Sequence, residues 1–483
     1  MARLPHDKVN LDDYRRAGHR VVDWIADYRG RAEDLPVMAQ VEPGSVFDAL
    51  PAEPPEDPET IDAILADVDS IVVPAVSNWQ SPNWFAYFPA NAAEASLLGD
   101  MLSTGLGVQG MLWSTSPACT EVEMRMLDWT ARALGLPEAF RFDVEGPGGG
   151  VLQDTASSAA LACMIAARDR ATAGRSGTHG LDQSRAPLVA YTSNQSHSSL
   201  EKAARLCGVG SEHLRLIGVD EDFAMHPDEF ASRLKTDLDA GARPFFVNVT
   251  LGTTASGGFD PLSEIGAIAR THDLWVHVDA AMMGTAALCE EFRGMHAGIE
   301  HVDSWNFNPH KWMGAAFDCS CLWLRDTASL VSAMSIMPEY LRNRATDSGQ
   351  VIDYRDWQIP LGRRFRALKL WFLYRGIGLS GLRSMVRTHV RLATELESWI
   401  RDEPRLEVAA PRSLNMVCFR HAAGDDATRA LLHTLNDSGA MSLTHCELDG
   451  RFVIRCCIGQ WRTTTDHVRA AWDRIRRTAE TVV

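Results

Sequence analysis

The chain has 483 residues, 46% apolar and 23% charged, the balance of a globular protein with room for two or three domains. Its 47 basic against 63 acidic side chains give a formal charge of −16, which argues against general affinity for nucleic acid or an anionic membrane. Ten cysteines occur without CxxC pairs or zinc-ligand spacing, the N-terminus lacks an apolar signal segment, and no apolar run reaches the ~18 residues of a membrane span. A reduced, cytoplasmic setting with no metal is the expectation.

In chain order, Leu11, Tyr14, Gly18, Val21, Val22, Ile25 and Tyr28 share one face of a first helix, with Gly30 available to end it. A Pro/Glu-rich connector, Val41 to Thr60, leads to a second helical stretch, Ile61 to Val73. This opening arm reads as a segment that wraps a neighbouring subunit. From about Pro82, apolar β-branched runs alternate with helices: 187–193, 244–250, 274–280 and 319–325. Between the second and third runs, Asp260 is placed as an N-cap and Pro261 at the first helical position. Near-continuous apolar strands separated by helices predict a mostly parallel sheet covered on both faces. The last third predicts a helix over Arg363 to Ile400, short strands in "NMVCFR" and "RFVIRCCI", and a final helix from Thr465 to Val482, together a smaller α+β unit. The basic cluster "GRRFRALK" has apolar residues at helical spacing, so it reads as a packed helix with an ionic face and not as a nucleic-acid site.

One run raises a chemical question. "SWNFNPHKWMGAAFDCS" (304–320) sets Lys311 between two tryptophans, with Asp318 the one acid in the run to offset it. Only five of the 47 basic residues are lysine. Desolvation lowers a lysine's pKa and yields the neutral amine that attacks carbonyls, which an arginine cannot supply. Ligands of open α/β sheets bind beyond the carboxyl ends of strands, which selects Asp279 at the end of "WVHVDAA", though a capping role fits it as well. "GPGGGVLQDTASSAALACMIAARDR" (146–170) runs from glycines into a helix start fit to seat a phosphate, without the P-loop pattern. His197 follows another strand and His310 precedes Lys311; each is equally compatible with a structural histidine. A Schiff-base lysine, a strand-end Asp and a phosphate-binding helix start are the parts a pyridoxal phosphate site needs.

In this order, the blocks "SPNWFAYFPA", "SPACTEVE", "HVDAA", "NFNPHKW" and "DYRDWQIPLGRRFRALKLWF" resemble the group II pyridoxal-phosphate decarboxylases, specifically the aromatic-L-amino-acid decarboxylases, over nearly the whole chain. The resemblance implies an α/β protein of PLP-dependent fold type I (aspartate aminotransferase-like). It implies a mostly parallel seven-stranded sheet in a large domain (86–375), a smaller α+β C-terminal domain (376–483) and a helical N-terminal arm (1–85) packed on the partner of a homodimer. By the same resemblance Lys311 would hold pyridoxal 5'-phosphate as a Schiff base, Asp279 would pair with the pyridine nitrogen, and His197 would stack on the ring. Ala156, Ser157, Asn308 and His310 would surround the phosphate, with Thr254 and Ala281 against the ring. Tyr340, on a mobile loop of the partner subunit, would return the proton to the substrate; relatives that make aldehydes carry Phe there, or Asn in place of the histidine. Trp79, Tyr87, Phe88 and Pro89 match an aromatic substrate pocket, joined across the dimer by Gln109 and Met111. Gly362 leaves room for a bulky ring where histidine-using relatives and many tyrosine-using plant relatives carry Ser, and Ala90 replaces a Thr hydroxyl of animal DOPA decarboxylases. These implications favour amine formation from tryptophan, with 5-hydroxytryptophan, DOPA, phenylalanine and tyrosine open. An aromatic aldehyde synthase and a catalytically silent PLP-binding dimer are the rival readings. The polar stretch Asn343 to Asp353 reads as part of a lid.

Overall fold

A computed structural model describes residues 10–482 except 185, 337–340 and 342. The apolar runs become a seven-stranded sheet: β1 (Gly149–Gln153), β2 (Leu188–Ser193), β3 (Leu214–Ile217), β4 (Arg243–Thr250), β5 (Trp275–Asp279), β6 (Ser304–Phe307) and β7 (Ser320–Leu324). Their spatial order is β1-β7-β6-β5-β4-β2-β3. Pairs from β3 through β6 are parallel, and β7 runs antiparallel to both β1 and β6. β1, β2, β5, β6 and β7 are buried at every position, which is why they read as unbroken apolar or small-residue runs instead of alternating ones. One face packs on the helix Ala156–Thr172, the other on Pro117–Leu134, Leu262–Thr271 and the start of Ala367–Arg401.

A second sheet, β8 (Leu406–Val408), β9 (Met416–His421), β10 (Thr444–Leu448) and β11 (Arg451–Cys457), is antiparallel in the order β10-β11-β9-β8. The C-terminal helix Thr465–Ala479 covers it, packing Val468, Trp472 and Ile475 against Phe419 and Ile454. The long helix Ala367–Arg401 joins the two sheets and breaks at Gly378, whose φ of 73° a side chain would resist.

Three local expectations change. Asp260 does not cap a helix, which begins at Leu262 behind Pro261. Its buried carboxylate instead accepts the Thr250 and Met225 N–H groups at 2.7 and 2.9 Å, and burial raises its pKa to about 7. The stretch Ile61 to Val73 is α-helical only over Ile61–Asp67 before widening into a π turn. The helix expected from Arg363 starts at Ala367, because Arg363 is drawn into the core. Its guanidinium meets Glu123 at 2.6 Å, with neither side chain exposed above 1%, and also donates to the Leu152 carbonyl. The first helix, Leu11–Gly30, matches its expected span, and Asn10 caps it.

Removing one member of a buried ion pair leaves an unpaired charge, at a cost of about 3–5 kcal/mol. Arg363→Ala is therefore expected to lower the midpoint of denaturant unfolding substantially, and Glu123→Gln in the same background should recover part of the loss.

Candidate active site

The carboxyl ends of β4, β5 and β6 and the start of the helix Ala156–Thr172 enclose a cavity of about 230 Å³. Every residue expected to touch the cofactor lines it: Ala156, Ser157, His197, Thr254, Asp279, Ala281, Asn308, His310 and Lys311. Convergence from five separated chain segments makes a single site of what were separate candidates.

The lysine is pinned from its backbone outward. The Lys311 carbonyl accepts the Asn91 side-chain amide at 2.7 Å, and the next residue, Trp312, donates its indole N–H to buried His389 at 2.9 Å. Its amine lies 5.2 Å from the centre of the Phe88 ring, and the Arg455 guanidinium is equally far from that ring. Burial holds the Lys311 pKa below its usual range; Asp279 and Cys457 oppose the shift, and Arg455 adds to it. The acid that matters to Lys311 is therefore Asp279 and not Asp318. Arg366 holds Asp318 at 3.0 Å on a separate network with Lys369.

Asp279 Oδ1 accepts the Ala281 N–H at 3.0 Å, which turns the carboxylate at the strand end. At the other end of the cavity the helix Ala156–Thr172 presents its first N–H groups and the positive end of its dipole. His310 completes this end as a neutral donor. The Cys319 N–H donates to its Nδ1 at 2.9 Å, so the ring proton sits on Nε2, and burial takes its pKa down to about 3. Asn308 Oδ1 is buried there without a protein partner. His197 likewise accepts the Ser199 N–H at Nδ1, at 3.2 Å. Partial burial and the nearby Lys311 lower its pKa.

An anion seat, an amine of lowered pKa and a carboxylate placed for a cationic nitrogen fit the phosphate, aldehyde and pyridine nitrogen of pyridoxal phosphate. The description "Pyridoxal-dependent decarboxylase conserved domain" matches residues 43–422. The chain belongs to the pyridoxal-dependent decarboxylases. It is 44% identical to phenylacetaldehyde synthase of Arabidopsis thaliana, covering 98% of this chain and 97% of that one. It is 42% identical to tryptophan decarboxylase 2 of Oryza sativa, covering 98% and 96%. The crystal structure of Oryza sativa TDC with PLP and tryptamine superposes with a TM-score of 0.95 at 39% identity, over 99% of this chain and 100% of that one. This decarboxylase family uses pyridoxal 5'-phosphate, and the fold is type I.

Of the expected substrate residues only Phe88 lines the cavity. Trp79 stacks on Trp84 and Tyr87, at 4.4 and 5.5 Å between ring centres. Pro89 lies against Gly459, where an added Cβ would meet its ring at 2.8 Å. The Ala90 carbonyl accepts the Gln80 amide at 3.4 Å. Gln109 and Gly362 come together elsewhere on the surface: Gln109 Oε1 accepts the Arg363 N–H at 2.5 Å, and the Met111 carbonyl accepts the Arg355 N–H. Tyr340 lies outside the described residues. Four lining residues were not anticipated: Thr155, Thr250, Gly252 and Phe317. The strand-end rule that selects Asp279 also covers Thr250 and Gly252. Phe317, 60% exposed and tilted over His310 at 4.8 Å, carries no such signal beyond being aromatic in a Gly/Ala turn.

His310, His277, His296 and His389 all have buried rings whose pKa falls from 6.5 to between about 3 and 4. The unfolded chain binds these protons first, so their contribution is complete above about pH 6.5 and is lost as pH falls towards the folded values. Unfolding free energy is expected to drop by up to ~1.4 kcal/mol per pH unit for each ring in that window. Denaturant titrations at pH 7, 6 and 5 measure the slope, and His389→Gln should reduce it by one ring's share.

Proposed function

We propose that this decarboxylase converts an aromatic L-amino acid, tryptophan favoured, to its arylalkylamine and CO2, working as a cytoplasmic homodimer with its active sites at the subunit interface. The observation that carries the reading is the Lys311 amine set beside Phe88 in one cavity with Asp279, His197 and the phosphate seat. When bound, pyridoxal phosphate supplies the electron sink for the bond broken to CO2. The protein's residues then have distinct tasks. Lys311 would hold the cofactor's aldehyde covalently, its amine kept reactive by burial. Asp279 would hold the ring nitrogen in its protonated form. Ala156, Ser157, Asn308 and His310 would fix the phosphate, His197 would cover the ring, and Thr254 and Ala281 would bound it. Tyr340 delivers the proton to the substrate's α-carbon, a role the chain's Tyr at that position supports by sequence.

The main rival is aldehyde formation, and the Arabidopsis relative's name gives it weight. Tyr340 and His197 occurring together favour the amine. Substrate choice rests on Trp79, Tyr87, Phe88 and Pro89, on Ala90, which offers no hydroxyl to a catechol, and on Gln109, Met111 and Gly362. A Cβ at Gly362 would lie 3.3 Å from Gln109 Nε2, so a larger residue there presses on Gln109 and narrows the space for an indole. Gln109 and Gly362 are surface-exposed in the single chain, as residues serving the partner's site would be. Leu98, Leu102 and Leu106 form an exposed apolar stripe on the helix Glu94–Leu106, with Leu11, Tyr14, Phe47 and Phe317 also exposed, which supports a dimer with the 1–85 arm on the partner. Ten unpaired cysteines suit the cytoplasm, and no helix among the described residues is long and apolar enough to cross a membrane.

Incubation with tryptophan, phenylalanine, tyrosine and DOPA in air should yield amines, with tryptamine formed fastest; aldehyde and peroxide as major products would reverse the assignment. Tyr340→Phe is expected to shift product towards the aldehyde. Leu102→Glu, which puts a charge in the apolar stripe, should shift sedimentation towards monomer and cut activity at least tenfold; an unchanged dimer would remove this face from the interface.

A further inference from the structure

The face of the large sheet beneath the helix Ala156–Thr172 changes character along its parallel strands. Near their N-terminal ends Leu188, Ala190, Phe246 and Trp275 belong to an apolar core. Towards the cavity the same face carries Asn248, Thr250, His277, Asp279, Ser304 and Asn306, all buried. Part of this polar layer is bonded. Ser304 Oγ accepts the Trp275 indole N–H at 2.7 Å and lies 2.8 Å from His277 Nδ1. The Asn248 amide donates to Thr250 Oγ1 at 3.0 Å and to Thr192 Oγ1 at 3.2 Å.

Next to Asp279 the bonding stops. His277 Nε2 and both polar atoms of the Asn306 amide are buried; the two side chains interact with each other, and among the described residues neither these atoms nor that contact shows a hydrogen bond of ordinary geometry. In the β5/β6 register Asn306 stands opposite Asp279, and His277 precedes Asp279 by two residues on the same face. The unbonded groups therefore gather at the base of the Asp279 side chain. The His277 ring is neutral: burial takes its pKa down to about 4, against the pull of Asp279 and of a weak side-chain hydrogen bond with Asn306. A neutral imidazole nitrogen and a carboxamide, buried and satisfied only by their weak contact with each other, are the lining that an internal water requires.

We propose that His277 and Asn306, with an internal water completing their hydrogen bonds, are positioning residues that hold the Asp279 carboxylate aimed and ionised towards the pyridine nitrogen of a bound cofactor. The inference rests on the reading of Asp279 as the partner of the pyridine nitrogen. One backbone bond, from Ala281 N–H to Oδ1, leaves the carboxylate free to turn, and a second donor on the protein side removes that freedom. Donors at its base also favour the ionised carboxylate with a protonated ring nitrogen over a neutral pair. Without them Asp279 would hold the nitrogen of a bound cofactor less firmly protonated, and the Lys311 nitrogen joined to that cofactor would keep its proton to higher pH.

The test compares Asn306→Leu, His277→Leu and His277→Gln holoenzymes with wild type and with Asp279→Asn. The readings are the pH midpoint of the cofactor's visible absorbance and the dissociation constant of pyridoxal phosphate from the apoenzyme. Asn306→Leu and His277→Leu are expected to raise the midpoint by ~0.5 unit or more and to weaken cofactor binding about tenfold. His277→Gln, which returns a polar atom near the place of Nε2, should keep the midpoint close to wild type; a purely space-filling histidine would show no such rescue. Should His277→Leu fail to fold, the near-isosteric Asn306→Leu decides, and a wild-type midpoint in it overturns the proposal. An Asp279→Asn spectrum identical to wild type would remove the assignment of Asp279 and this inference with it. A shift in Asp279→Asn with none in Asn306→Leu overturns the inference alone.

Discussion

The structure depends on burying one primary amine at the carboxyl edge of a parallel sheet. A lysine ammonium in that position is penalised by burial, and the single carboxylate that lines the cavity among the described residues, that of Asp279, lies at the end of the neighbouring strand. The two charges do not pair off and cancel, because Asp279 is already turned by the Ala281 N–H and Lys311 by its anchored backbone. One cofactor with an aldehyde and a basic ring nitrogen would suit both groups. The rest of the cavity follows the same division, with the helix start and a neutral His310 donor forming an anion seat at the other end.

Much of this was legible because burial on both faces writes strands as unbroken apolar runs, and the residue that ends such a run at the cavity is conspicuous. Asp279 after "WVHV" and Lys311 among tryptophans stand out for that reason. Asp260 misled because Asp-Pro before an apolar repeat is a capping pattern, whereas its partners, Thr250 and Met225 N–H, lie on other segments. Arg363 misled in the same way. Its helical spacing is real, but a contact with Glu123, 240 residues away in sequence, outweighs the local preference.

The substrate pocket divides differently. Phe88 lines the cavity, while Gln109 and Gly362 meet at an exposed surface of the same chain. Local pattern cannot say which subunit's cavity a residue serves; that depends on how two surfaces meet. Phe317 poses the same problem from the other side, since it lines the cavity and is also largely exposed. Exposure of an aromatic ring beside a buried cofactor site makes sense if a second surface completes the wall.

Buried charge elsewhere in the chain keeps the site's electrostatics separate. Lys369, with a fully buried side chain, donates to the Ala316 and Asp318 carbonyls and pairs with Asp100 at 3.3 Å, while Arg366 takes the Asp318 carboxylate. This network holds the turn that carries Phe317 and presents the Cys319 N–H to His310. It also keeps Asp318, the one acid near Lys311 in sequence, from reaching the cavity. Arg455 does the equivalent on the opposite side, spending one N–H on the Ala255 carbonyl next to Thr254 and standing over Phe88. Both lysines are buried, yet among the described residues carbonyls cage Lys369 and not Lys311. That difference, and not burial alone, separates a lysine locked in place as a structural cation from one whose amine stays open to the cavity.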